Sequence, residues 1–289
     1  MSYEEGAVTI IEPSRPSFSI IVPTFGEHES LARTLGCLVW QRPEVANVER
    51  EIWVIGDGFE EQAQKVVNIM QAHAKEQKQN VSIGYAHLKA HLGNGNIARA
   101  RGLKQATKDW VVFIDNGTMV THDFLSALTN AMEKVPAAQF IMYDIVQLLD
   151  PVPVVTSVHI LEQADRSKGL PYVIPGNAAC IKREYAQAIE WPNVSASDWA
   201  YYSLLWKHMF GLPEDEEKIQ SEVVLIPNVL GVAYAARTQR KLRYPATKEQ
   251  YFAAGYDQPW EAARDTLVIP PPSKEPDAVT NTESVPRAD

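Results

Sequence analysis

No apolar run in this sequence comes near the ~18 residues that a membrane span requires, and the opening MSYEEGAVTI lacks a basic region followed by an apolar core. Nothing marks export. Cysteine is scarce: Cys37 and Cys180 are the only two, both in apolar contexts without metal-ligand spacing. Buried free thiols in a reducing compartment are expected, and with them a cytoplasmic protein. Positive charge is not in excess either, and a formal net charge of −9 excludes an electrostatic grip on nucleic acid over the whole surface. A local basic site is still allowed. Also missing is a G-x-G-x-x-G after the first apolar strand, which weakens a dehydrogenase reading. What remains is an ordinary globular chain, since 289 residues at 45% hydrophobic suffice for a full core.

Turning to what is there, buried-type strands alternate with amphipathic helices. Residues 18–23, 51–58, 80–88 and 110–115 read as strands, short and β-branched, each ending in turn residues. Between them residues 27–40, 60–79 and 94–107 have helical spacing, with Leu31, Leu35 and Leu38 on one face of the first. Such alternation predicts a parallel, doubly wound sheet with right-handed crossovers through residue 135. Further on, residues 124–134, 183–190 and 197–210 read as helices, residues 138–149 and 151–161 as strand-like runs, and residues 222–227 as a short buried strand. The end of the chain is Pro-rich and polar. It lacks the apolar surface to offset its ordering entropy, so residues 266–289 are expected to be a disordered tail.

The stretch WVVFIDNGTMV, residues 110–120, ends a buried run in a lone acid, Asp115. Ligands of open α/β sheets bind at the carboxyl ends of the strands, so Asp115 is either a site residue or the start of a plain Asp-Asn-Gly turn. Asp57 in EIWVIGDGF has the same two readings. Arg99 and Arg101 begin a helix behind Gly93, Asn94 and Gly95, where a guanidinium either forks onto phosphate oxygens or faces solvent. Asp198 follows Ser197 at a helix start, whose positive end favours an ionised acid; it is a base or a capping residue. Trp191, Trp199, Tyr201, Tyr202 and Trp206 nearby are a platform for sugar rings or core packing. Arg237, Arg240, Lys241 and Arg243 in ARTQRKLRYP are a phosphate-neutralising cluster or a solvated basic surface.

Taken in order, SIIVPTFGE, EIWVIGDGF, NIARARGL, WVVFIDNGT, PGNAACIKRE and SASDWAYYSLLW resemble the motifs of inverting glycosyltransferases of family 2, over roughly residues 18–230. The resemblance implies an α/β, Rossmann-like GT-A fold: a mixed, mostly parallel central sheet flanked by helices, in a single domain. That domain would span residues 17–265, after an N-terminal arm at 1–16, with a nucleotide-binding half at 17–135 and an acceptor half at 136–265. The implied activity is transfer of a sugar from a nucleotide-sugar donor, a UDP-sugar, to an acceptor hydroxyl on a glycan, lipid, protein, small molecule or hydroxylated nucleobase.

Residue by residue, the resemblance places Pro23, Thr24 and Phe25 as walls for base and ribose, and Asp57 as acceptor from a base imide or ribose hydroxyl. Gly56 stands where the family often has an acid. Arg99 aligns with the family's helix-start arginine and would hold the diphosphate, Asp115 would be the first acid of Asp-x-Asp with Asn116 beside it, and Asp198 the general base. Gly176, Asn177, Trp191 and Trp199 would meet the acceptor, and Arg240 and Arg243 the leaving diphosphate. One departure bears on the metal: Gly117 occupies the place of the second acid. Mg²⁺ or Mn²⁺ is therefore expected to bind weakly, through Asp115 and the diphosphate, or to be dispensable; where it binds, Gly117→Asp is expected to be tolerated or to tighten the metal. The same departure supports the competing reading, a non-catalytic GT-A-like nucleotide-sugar-binding or scaffold protein.

Overall fold

The computed structural model describes residues 15–26, 28–90, 95–149, 152–156, 178–193, 197–211 and 214–234. The chain divides into two units, Met1–Arg243 and Tyr244–Asp289, and all described residues belong to the first. The expected tail and most of the expected arm lie outside the described residues, as does the strand reading beyond residue 156.

Four strands form the parallel half: β1 (Phe18–Thr24), β2 (Arg50–Gly56), β3 (Val81–His87) and β4 (Trp110–Phe113), in the order β3-β2-β1-β4. Crossovers are made by α1 (His28–Val39), α2 (Glu61–Glu76) and α3 (Asn96–Gln105). Every residue of β1 is buried, because helices cover both faces. Ile20 and Val22 join Leu31 and Leu35 of α1 and Ala63 and Val67 of α2 in one apolar layer. Ile21, one residue out of phase, joins Ala98 and Leu103 of α3 in the other.

The strand was expected to stop before Thr24, because proline cannot continue a ladder. It runs one residue further because the β4 pairing ends at Ile21↔Phe113, leaving no donor required of Pro23 on that side.

The remainder comprises β5 (Thr118–Val120), α4 (Phe124–Lys134), β6 (Phe140–Leu149), β7 (Val152–Thr156), β8 (Ala179–Lys182), α5 (Arg183–Ala188), α6 (Ser197–Phe210), α7 (Glu216–Glu222) and β9 (Val223–Tyr234). It extends the sheet as β4-β8-β6-β9-β5, with β7 on β6. Direction reverses at β4–β8, which is antiparallel, as are β6–β8, β6–β7 and β5–β9; β6–β9 is parallel. The result is the mixed α/β sheet flanked by helices that the sequence implied.

The short strand expected at residues 222–227 is a twelve-residue one, β9. Its register on β6 jumps from Tyr143↔Ile226 to Asp144↔Val229, so Pro227 and Asn228 fall in an irregularity where no ladder bond is demanded.

Helix α3, which carries Arg99, lies close on the sheet. A Cβ on Gly102 would stand 2.4 Å from Ile21 Cγ2 and 3.1 Å from Ile55 Cγ1. Gly102→Ala should therefore lower unfolding stability by about 1–3 kcal/mol through overpacking. Denaturant titration checks this, and an unchanged midpoint would mean the helix can ride outward.

Candidate active site

Three strand ends converge at the carboxyl edge of the parallel half. The β1 and β2 exits are tied together: Asp57 N–H donates to the Thr24 carbonyl at 2.9 Å, and Glu60 Oε2 accepts from Gly26 N–H at 2.9 Å. Glu60 N–H in turn donates to the Tyr85 hydroxyl at 3.0 Å. Asp57 is 3% exposed, while Phe25 on the neighbouring loop is 53% exposed. Pro23 and Thr24 are buried in the end of β1 beside them.

The loop after β4 is a tight turn. The Asp115 carbonyl accepts from Thr118 N–H at 2.9 Å, with Gly117 at φ 94°. Gly117 N–H donates to Thr34 Oγ1 at 3.1 Å. Asn116 Nδ2 donates to Thr24 Oγ1 at 2.9 Å and its Oδ1 accepts from Ser30 Oγ at 3.1 Å, so this amide braces the loop against β1 and α1. The expectation that Gly117→Asp is tolerated needs correcting: φ here is in the left-handed region, which strains any residue with a Cβ.

Arg99 brings the two acids together. Its guanidinium is hydrogen-bonded to Asp115 Oδ1, a second nitrogen lies 3.6 Å from Asp198 Oδ1, and the side chain is only 9% exposed. Burial alone would lower the Arg99 pKa, but the Asp115 and Asp198 carboxylates outweigh it and raise the value above normal. The Arg99 charge is therefore fixed. Its Nε has no hydrogen-bond partner among the described residues. Arg101, the other helix-start arginine, is exposed. Three charged groups from the α3 start, the β4 end and the first turn of α6 thus meet at one place.

Trp191 was expected to offer a face to the acceptor. Instead it is 3% exposed, stacked on Tyr201 at 4.2 Å and 18° and packed on Phe113 at 4.6 Å, with Arg99 over the ring at 5.4 Å. That is a correction, since neither face is open to a sugar; Trp191 supports the guanidinium from below. Tyr202 packs behind, its phenol pKa pushed well up by burial and then by Tyr201 and Asp198.

Trp199 lies in α6 next to Asp198. Gly176, Asn177, Arg237, Arg240, Lys241 and Arg243 lie outside the described residues.

Sequence reasoning missed a second cluster at this edge. Phe59 is 59% exposed and meets His87 edge-on at 5.1 Å, and Tyr85 stacks on His87 at 6.2 Å. The available signal was the period-two spacing of Tyr85 and His87 at the end of β3, beside the Asp57-Gly58-Phe59 turn. No group of three or more metal-capable acid, His or Cys side chains occurs among the described residues.

A model of glycosyl transferase family 2 matches residues 19–183. The chain belongs to that family. S. aureus TarS 1–349 in complex with UDP-GlcNAc has a similar structure, with a TM-score of 0.57 and 16% identity over 86% of this chain and 65% of that one. The mannosyltransferase PcManGT from Pyrobaculum calidifontis, in complex with GDP-Man and Mn²⁺, gives a TM-score of 0.54 and 18% identity over 79% of this chain and 59% of that one.

At these identities the likeness shows the fold, which is GT-A. A stretch of 160 residues is 25% identical to the periplasmic acid trehalase ATC1 of Saccharomyces cerevisiae (strain CEN.PK113-7D), covering 55% of this chain and 13% of that protein. This family 2 chain thus spans under two thirds of the length of each of the three. No helix among its described residues is long and apolar enough to cross a membrane.

Proposed function

We propose that this family 2 protein is an inverting glycosyltransferase that moves a hexosyl group from a UDP-sugar to an acceptor hydroxyl, with Asp198 as general base. The observation that carries the reading is Arg99, which draws the donor-side acid Asp115 and the acceptor-side acid Asp198 onto one buried cation. Two carboxylates at a strand end and a helix start have no structural need of each other. A reaction centre joining donor to acceptor requires their proximity. The complex of TarS with UDP-GlcNAc supports a uridine donor. Free thiols at Cys37 and Cys180 support a reducing, cytoplasmic setting.

Phe25 and Asp57 receive base and ribose, Arg99 faces the diphosphate, and Asp198 takes the proton from the acceptor hydroxyl. The acceptor oxygen then bonds to the anomeric carbon as the bond to the diphosphate oxygen breaks on the opposite face, and the nucleoside diphosphate leaves with the electron pair. One displacement through an oxocarbenium-like state inverts the centre. Arg240 and Arg243 are proposed to neutralise the departing charge. The domain assignment at residues 17–265, with the tail beyond, belongs to the same proposal.

A divalent cation accompanies GDP-Man in the mannosyltransferase. The residues here do not fit one as a resident: Asp115 Oδ1 is committed to Arg99, the Asn116 amide to Thr24 and Ser30, and Gly117 has no side chain. Nothing in the chemistry above is routed through a metal.

Calorimetry with UDP tests both points together. Asp115→Ala should abolish binding, and excess EDTA should change wild-type affinity little. Unchanged affinity in the alanine variant would remove Asp115 from the site, and lost affinity in EDTA would restore the metal. The absent second acid also favours a non-catalytic nucleotide-sugar binder. Donor binding without hydrolysis or transfer across a screen of nucleotide-sugars would select that reading.

A further inference from the structure

Recognition of the nucleobase cannot come from Gly56. A Cβ there would stand 2.6 Å from the Gly58 carbonyl oxygen and 2.7 Å from the Tyr85 hydroxyl, so the position is closed to any side chain. In the parallel register its neighbour is His87, and the Gly56 carbonyl accepts from Leu88 N–H at 2.9 Å, which fixes the backbone at that point. His87 is exposed, with Phe59 edge-on to it and Tyr85 stacked beside it.

Its tautomer is set by chemistry. Nδ1 lies 2.8 Å from the Leu88 carbonyl oxygen, which can only accept, so Nδ1 holds the proton and the neutral ring carries its lone pair on Nε2. The other tautomer would put two lone pairs against each other.

We propose that His87 reads the edge of the donor's base, accepting at Nε2 a hydrogen bond from the ring N–H of a lactam base, uracil or guanine, and rejecting cytosine, whose ring nitrogen presents a lone pair. The inference rests on the nucleotide-sugar site proposed above. The exposed rings of Phe25 and Phe59 stand on the two loops that Glu60 ties together, and they give stacking that every base satisfies equally. Discrimination therefore falls to hydrogen-bonding groups at the edge. Asp57 is left to the ribose hydroxyls, and His87 supplies the acceptor of fixed polarity at the base edge.

The test is calorimetry of the full chain with UDP, GDP and CDP. The wild type should bind UDP or GDP at least about tenfold more tightly than CDP, as expected when a hydrogen bond gives way to two lone pairs facing each other. His87→Ala should collapse that ratio by weakening the lactam nucleotide and leaving CDP unchanged. His87→Asn, whose carbonyl can accept, should restore part of it. Phe59→Ala should weaken all three alike, which separates stacking from reading. Since His87 is exposed, melting temperatures should match the wild type.

A ratio that survives His87→Ala overturns the proposal, as does a wild type that binds CDP as well as UDP. If the wild type binds none of the three, the nucleotide-sugar reading itself falls, an outcome distinct from a lost preference.

Discussion

Arg99→Leu should yield a destabilised protein that binds no UDP and transfers no sugar. Removing the guanidinium leaves the Asp115 and Asp198 carboxylates facing a space they shared with a cation, and uncovers Trp191. Breaking a buried ion pair from one side costs about 3–5 kcal/mol. Both carboxylates keep about a third of their surface in water, so screening puts this case at or below the lower end. Arg99→Lys keeps the charge but loses the fork that reaches two acids at once, so it should recover much of the stability and little of the UDP affinity. Arg101→Ala, two residues on and exposed, is the control and should stay within about 0.5 kcal/mol of wild type. Thermal unfolding and calorimetry read the series. Wild-type melting and UDP affinity in Arg99→Leu would show that the three charged groups meet by accident.

The second large effect is on turnover alone. In Asp198→Asn the shape is kept, Arg99 retains Asp115, and UDP should bind as before, because Asp198 serves the acceptor. Transfer should fall by about 10²–10⁴-fold, the usual contribution of a positioned base. Rates with saturating donor and acceptor measure it. Full turnover in the asparagine variant would return Asp198 to the bland role of an acid in the first turn of α6.

The parallel half was legible because each strand is a short buried run and each crossover helix has its own apolar stripe, so period and length agree. Strand β5 was not, since Thr118–Val120 is three residues long and its partner β9 is distant in sequence. Half of β9 was hidden by Pro227, which reads as a terminator until the register jump on β6 excuses it. Helix α7 carried its signal in the Asp215 carboxylate, which accepts from Lys218 N–H at 3.0 Å, but a seven-residue helix with Ile219 as its one apolar residue has no periodicity to detect. At the candidate site, motif order named Asp115, Arg99 and Asp198. Their convergence, and the burial of Trp191, belong to tertiary packing: an aromatic beside a proposed base looks the same in sequence whether it faces a ligand or a core.

The pairing of β5 with β9 has a consequence for how the protein comes into being. During synthesis β1 to β4 and their helices are all made before β9. The Asp115 loop is anchored on its amino side within that early half, by Asn116 to Thr24 and by Gly117 to Thr34. On its carboxyl side it leads into β5, whose strand partner is the last described strand to be made. A nascent chain that has not yet produced β9 therefore holds the Asp115 loop by one end only. On the proposed function, competence for the nucleotide would arrive with the closing strand, so a chain interrupted before β9 should lose donor binding outright rather than by degrees.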